Sequence, residues 1–234
     1  MVANAFCDTV FLDIDGTLLW VDVDVAGYVE DLAPYSTNGP LTTERATRPV
    51  WEGMREHIQQ NVNYPTVEEL EGFKRQNQRR TAQTLELDVP PEVLGDVSER
   101  RISFRPYPES RRVLEELTEL GLNLYVVSNW DVQLEQVLEN LGWTNYFDGI
   151  VASAVVGVEK PDPGIFEEAL HVSGARREKV VHVGNDPVAD VRGATESGID
   201  AVFVNRSGEE APEAVAVMPD LLDLPEWIGG SKNV

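Results

Sequence analysis

Val10-Phe11-Leu12-Asp13-Ile14-Asp15-Gly16-Thr17-Leu18 opens the chain's first ordered pattern. Val10 to Ile14 is a short apolar run, and Asp15-Gly16 breaks it. This reads as a buried strand followed by a tight turn. Four similar apolar runs come much later, at Leu122–Val127, Ile150–Val151, Val180–Val183 and Ala201–Val204. Helical patterns lie between them. Glu109–Leu120 puts Val113, Leu114, Leu117 and Leu120 on one face and ends at Gly121. Asp131–Leu141 starts at an N-cap residue and stops at Gly142, Pro163–Val172 follows Pro161-Asp162, and Val188–Ser197 ends at Gly198. Strand alternating with helix at this spacing predicts an α/β fold with a parallel sheet covered on both faces.

Residues 19–105 interrupt this rhythm. They carry charged helical stretches, Glu44–Gln60 and Thr66–Leu87, and show no convincing strand. Pro90-Pro91 and the Pro106–Pro108 stretch punctuate the end. The expected organisation is a core built from residues 1–18 and 106–234, with residues 19–105 inserted as a helical domain.

Parallel α/β sheets bind ligands beyond the carboxyl ends of their strands. Each strand here runs into polar residues: Asp13-Ile14-Asp15-Gly16-Thr17 after the first, Ser128-Asn129 after the second, Lys160-Pro161 after the third, and Gly184-Asn185-Asp186 with Asp190 after the fourth. Gathered at one edge, these groups suit phosphoryl transfer. One carboxylate of the Asp13/Asp15 pair can attack phosphorus, and the other can move the proton. Gly16 lets backbone approach a ligand. Clustered carboxylates call for a counter-cation, and hard oxygen donors suit Mg²⁺. Lys160 would stabilise charge on the transferring group, with Ser128 and the helix start behind it as further donors.

Each motif also has a plainer reading. Asp-Gly after a strand is commonly only a turn. Ser-Asn before Asp131 is a helix cap, and Asp186 with Asp190 is an acid-rich helix start. The specificity lies in the combination, with every group at a strand end and in one order.

Composition narrows the partners. Forty-one acidic residues face nineteen basic ones, a formal net charge of −22, and Lys occurs only at 74, 160, 179 and 232. Such a field repels nucleic acid and anionic membranes. Acid excess with scarce Lys suits concentrated salt and points to a halophilic source. Cys7 stands alone, so no intrachain disulfide forms, and it reads as a small core residue. The N-terminus does not read as a signal peptide, and no segment reaches the roughly 18 apolar residues of a membrane span. A soluble cytoplasmic protein is expected, with oligomeric state not legible. Trp20, Tyr28, Trp51 and Tyr64 read as core rather than pocket aromatics. Arg45, Arg48, Arg55, Arg79 and Arg80 are candidates either for an anionic substrate tail or for surface ion pairs.

Taken together, these motifs resemble the haloacid dehalogenase-like hydrolase superfamily. The resemblance rests on Phe11–Leu18, Val126–Asn129, Phe147–Val151 through Val156–Pro163 with Lys160, and His182–Ala194. It implies a Rossmann-like core with a helical cap of the first type, which closes over the site and selects substrate. It also implies that Asp13 is nucleophile and metal ligand, and that Asp15 is general acid/base with its carbonyl on Mg²⁺. Thr17 shapes the loop. Ser128 and the Asn129 backbone hold the phosphoryl oxygens, Lys160 bridges nucleophile and phosphate, and Asp190 orients Lys160 or a metal-bound water. The fourth motif departs from the pattern, because Asn185 directly follows Gly184. Either Asn185 or Asp186 can be the remaining ligand, and the charge of Asp186 favours it.

The implied activity is Mg²⁺-dependent hydrolysis of a small phosphorylated metabolite. A 2-haloacid dehalogenase shares the aspartate nucleophile but needs no metal and no acid at position 15. A sugar phosphomutase and a non-catalytic binding protein on the same fold complete the alternatives.

Overall fold

A computed structural model describes residues 7–230. Lys232 and the first six residues, on which the reading of the N-terminus partly rests, lie outside them. In chain order the elements are β1 (Thr9–Leu12), β2 (Leu19–Val23), α1 (Val25–Leu32), α2 (Thr43–Gln60), α3 (Val67–Thr84), α4 (Pro91–Arg100), β3 (Ile102–Pro106), α5 (Ser110–Glu119) and β4 (Asn123–Ser128). Next come α6 (Leu134–Asn140), β5 (Gly149–Ala152), α7 (Ser153–Val156), α8 (Pro163–Ser173), β6 (Val180–Gly184) and a π-helical turn (Pro187–Arg192) running into α9 (Gly193–Glu196). β7 (Asp200–Val204), β8 (Ala216–Met218) and α10 (Leu224–Gly230) complete the series.

The chain divides into two compact units. One runs to Trp20 and resumes at Pro106; the other is Val21–Arg105. In the first unit a six-stranded sheet has the order β5-β4-β1-β6-β7-β8. Its pairings are parallel. All four residues of β1 are buried, as expected of a central strand covered on both faces. Leu12 lies opposite Val126 of β4 and Val183 of β6, so the chain beyond β1 emerges between the ends of both neighbours. One packed layer against the sheet is built from Phe11, Val127, Ile165, Phe166, Val191, Ala194 and Phe203.

The second unit is mainly helical. Tyr28, Leu32, Ala46, Leu85, Leu94 and Val97 form its core. Thr42 and Thr66 cap α2 and α3 by accepting from Arg45 N and Glu69 N. Tyr28 is indeed core, and Arg45, Arg48 and Arg80 pair with Glu86, Glu52 and Glu56.

The structure corrects the expectation that residues 19–105 contain no strand. β2 and β3 form a two-stranded sheet, with Arg105 Nε 2.6 Å from Asp22 Oδ2. The strands are short, only partly buried, and separated by the whole helical stretch, so neither carries a local signal. β8 was likewise unforeseen. The helix expected from Asp131 begins at Leu134, and Asp131 instead accepts from Gln133 N in a tight turn. The helix expected over Val188–Ser197 opens wide: the carbonyl of Asp186 accepts from both Asp190 N and Val191 N.

Phe166 is fully buried and packs edge-on against His182. Phe166→Ala is expected to cost about 3–5 kcal/mol, read as a lower denaturant midpoint with an unchanged slope.

Candidate active site

Asp13 is the first residue past β1, and its N–H still donates to Val183 O at 3.0 Å. The chain then turns sharply. Ile14 O accepts from Thr17, Leu18 and Leu19 N, and Gly16 sits at φ +80°. Only glycine fits there: a Cβ would lie 2.2 Å from Asn185 Nδ2. The turn leaves Asp13 buried and Asp15 exposed, which separates the two carboxylates.

Lys160 reaches Asp13 from the loop beyond β5. The residue is 3% exposed. Nζ donates to Asp13 Oδ1 at 2.7 Å, Asp190 Oδ1 at 2.7 Å and Val127 O at 2.8 Å, using all three of its protons. Asn129 holds the Lys160 backbone from both sides, donating Nδ2 to Lys160 O and accepting Lys160 N on Oδ1. Ser128, at the end of β4, donates to Asp13 Oδ1 at 3.0 Å, and Thr17 donates to Asp13 Oδ2 at 3.0 Å.

Asp190 is brought in by the π-helical turn. Its Oδ1 also lies 2.8 Å from His182 Nε2, and its Oδ2 accepts from Asp186 N at 2.9 Å. Gly184 makes room for it, since a Cβ there would stand 2.1 Å from Asp190 Cγ.

The electrostatics arise from burial and pairing. Burial pushes the Asp13 carboxyl above its ordinary value, against the pull of Lys160. Burial would do the same to Asp190, but Lys160 and His182 hold it well below the usual carboxylate range. Burial alone would depress Lys160, yet Asp13 and Asp190 keep it above its ordinary value. The ammonium is therefore firmly protonated.

Asn185 and Asp186 part company. Asn185 Oδ1 lies 3.2 Å from the Thr17 hydroxyl, the same hydroxyl that reaches Asp13. Asp186 is exposed, and its Oδ1 caps the next turn by accepting from Val188 N and Ala189 N. Two acceptor oxygens, Asp13 Oδ2 and Asn185 Oδ1, thus converge on a hydroxyl with a single proton. That oxygen pair fits a hard divalent cation. Among the described residues no three His, Cys, Asp or Glu side chains gather as a metal cage. An ion here would lean on few carboxylates and on water or substrate, in the manner of Mg²⁺.

Asp13, Thr17, Ser128, Asn129, Lys160, Asn185 and Asp190 therefore belong to one connected hydrogen-bonded group, with Asp15 beside it in sequence. Two contributors were given no role by the sequence reading. His182 opens the fourth motif, but it sits inside β6 and looks like any strand residue. Arg206 lies just past β7, and its Nε and Nη2 donate to Gly16 O at 3.2 Å and Thr17 O at 3.0 Å. Its place beyond a strand end, like that of the other site residues, is the signal that could have found it.

The fold and this group define a hydrolase class: the chain belongs to the haloacid dehalogenase-like hydrolase family, whose profile matches residues 7–198. Glyceraldehyde 3-phosphate phosphatase of Methanothermobacter thermautotrophicus is 32% identical over 241 residues, covering 93% of this chain and 97% of that protein. Phosphoserine phosphatase of Thermus thermophilus is 39% identical over 118 residues, 49% of this chain and 46% of its own length. Among solved structures, a HAD phosphatase from Thermococcus onnurineus superposes with a TM-score of 0.60 at 23% identity, covering 95% of this chain and 98% of its own. L-2-haloacid dehalogenase from Xanthobacter autotrophicus does so with a TM-score of 0.67 at 23% identity, covering 96% and 99%. At such identities the solved structures speak for the fold alone. Among the described residues no helix is long and apolar enough to cross a membrane.

Lys160→Met would leave buried Asp13 without its counter-charge, while Asp190 keeps His182 and the Asp186 amide. The folded-state pKa of Asp13, already raised by burial, then stands further above that of the unfolded chain, about 4. The penalty is therefore smallest below that pH and grows as pH rises through the folded-state value. Near neutrality it is expected to reach about 3–5 kcal/mol. Chemical denaturation in EDTA at pH 4.5 and 7.5 measures it, and a deficit independent of pH would contradict the assignment.

Proposed function

We propose that this chain is a Mg²⁺-dependent phosphomonoester hydrolase that forms an aspartyl phosphate on Asp13 and acts on a small phosphorylated metabolite. The observation that carries the reading is the buried Asp13 carboxylate, held by Lys160, Ser128 and Thr17 at the end of the central strand. Phosphatase-named relatives support the choice of phosphorus as the centre attacked.

In this reading an Asp13 oxygen attacks phosphorus and the P–O bond to the leaving alcohol breaks. Asp15 gives its proton to the departing oxygen. Asp15 then accepts a proton from water, which attacks the same phosphorus and releases Asp13 and inorganic phosphate. Lys160 favours the ionised form of Asp13 against the effect of burial and faces the negative charge of the transferring group. Asp190 holds Lys160 in line. Bound Mg²⁺ would shield the phosphoryl oxygens from the Asp13 charge. Asp15 separates this from the dehalogenase reading, since a halide leaves without a proton.

Three outcomes are expected with p-nitrophenyl phosphate and Mg²⁺. EDTA abolishes turnover. Asp13→Asn lowers it by more than about 10³-fold without loss of fold; retained turnover in the purified variant would refute the nucleophile. Asn185→Ala raises the Mg²⁺ needed for half-activity by about tenfold or more, while Asp186→Ala costs about 1 kcal/mol of stability as a lost cap and moves the metal requirement little. The reverse ranking in a metal titration would return the ligand role to Asp186. Metal-free halide release from 2-chloropropionate would favour the dehalogenase. Glyceraldehyde 3-phosphate and phosphoserine lead the substrates to screen, at low and high salt.

A further inference from the structure

Arg206 lies outside every motif used so far. It comes after β7 in a turn pinned by Asn205, whose Oδ1 accepts from Gly208 N and whose Nδ2 donates to Glu209 O. From there its guanidinium crosses to the turn after β1. Nε donates to Gly16 O at 3.2 Å, and Nη2 donates to Thr17 O at 3.0 Å and Glu109 Oε1 at 2.6 Å. The guanidinium carbon stands 3.5 Å from the centre of the Tyr107 ring. The next carbonyl, Leu18 O, accepts from Tyr107 N and Ser110 Oγ.

Three successive carbonyls of the turn are thus held from outside it, two of them by one side chain. Each carbonyl fixes the peptide plane beside it. The Thr17 hydroxyl, which donates to Asp13 Oδ2, hangs from one of these planes, and Asp15 immediately precedes them. A planar fork serves here where a lysine would not, because two carbonyls, a carboxylate and an aromatic face are met together. Arg206 meets the turn through its backbone carbonyls.

We infer that Arg206 is a positioning residue: with Glu109 and Tyr107 it clamps the Gly16–Thr17 backbone and so sets the aim of Thr17 and Asp15 in the reaction. The catalytic half of this inference rests on the phosphatase reading; the mechanical half does not.

Two measurements on the full chain separate them. Hydrogen exchange by mass spectrometry follows the amides of the turn, where Thr17, Leu18 and Leu19 N–H share the Ile14 carbonyl. Arg206→Met is expected to speed exchange there while β4 and β6 keep wild-type protection. With p-nitrophenyl phosphate and Mg²⁺, kcat is expected to fall by about 10–100-fold with KM within about twofold, the signature of misplaced groups rather than lost binding. Arg206→Lys keeps the charge and is expected to fall in between, and it serves also if the methionine variant fails to fold. Glu109→Gln is expected to shift both readouts in the same direction by less. Unchanged exchange in the turn overturns the clamp. A rise in KM at constant kcat overturns positioning in favour of direct substrate contact. If wild-type protein does not hydrolyse the phosphate ester, the phosphatase reading fails while the exchange result still decides the clamp.

Discussion

Lys160 carries a charge into a place where charge is costly, and two carboxylates meet it there. A lysine at 3% exposure is tolerable only because Asp13 and Asp190 stand 2.7 Å away and Val127 O takes the third proton. Much of the local architecture serves this arrangement. Asn129 fixes the backbone from which Lys160 projects. Gly184 yields its side-chain space to Asp190. The wide turn after β6 swings Asp190 inward, and its amide at Asp186 fills the remaining carboxylate oxygen. His182 adds a contact from beneath the sheet edge. Altering any of these changes the field in which Asp13 works.

Burial divides the labour between the carboxylates. Asp190 is surrounded by Lys160, His182 and a backbone amide, which favour its ionised form. Asp13 has fewer charged supports and sits higher on the pKa scale, against an oxygen pair suited to a cation. Asp15, two residues on, lies in solvent. Three acids of one type thus stand in three different surroundings.

The core was largely legible because its signals are local. Apolar runs marked the five buried strands β1, β4, β5, β6 and β7, and the polar residues at their ends marked the site. The choice between Asn185 and Asp186 was not legible. Charge pointed to Asp186, but a residue just before a helical turn is drawn to cap it, and Asp186 does so. Arg206 escaped because its partners are backbone carbonyls almost the whole chain away, which no side-chain pattern records. β2 and β3 escaped because each is short and its partner lies beyond the whole helical stretch between them.

The chain leaves the first unit after Trp20 and returns to it at Pro106, and close to that junction Leu18 O accepts from both Tyr107 N and Ser110 Oγ. Departure and return are stitched together by the core's own hydrogen bonds. An excursion from such a junction closes on ends that already touch, and doubling its length adds only about 0.6 kcal/mol of closure entropy. The junction acts as a splice point, whose hydrogen bonds belong to one unit and leave the length of the excursion free to vary.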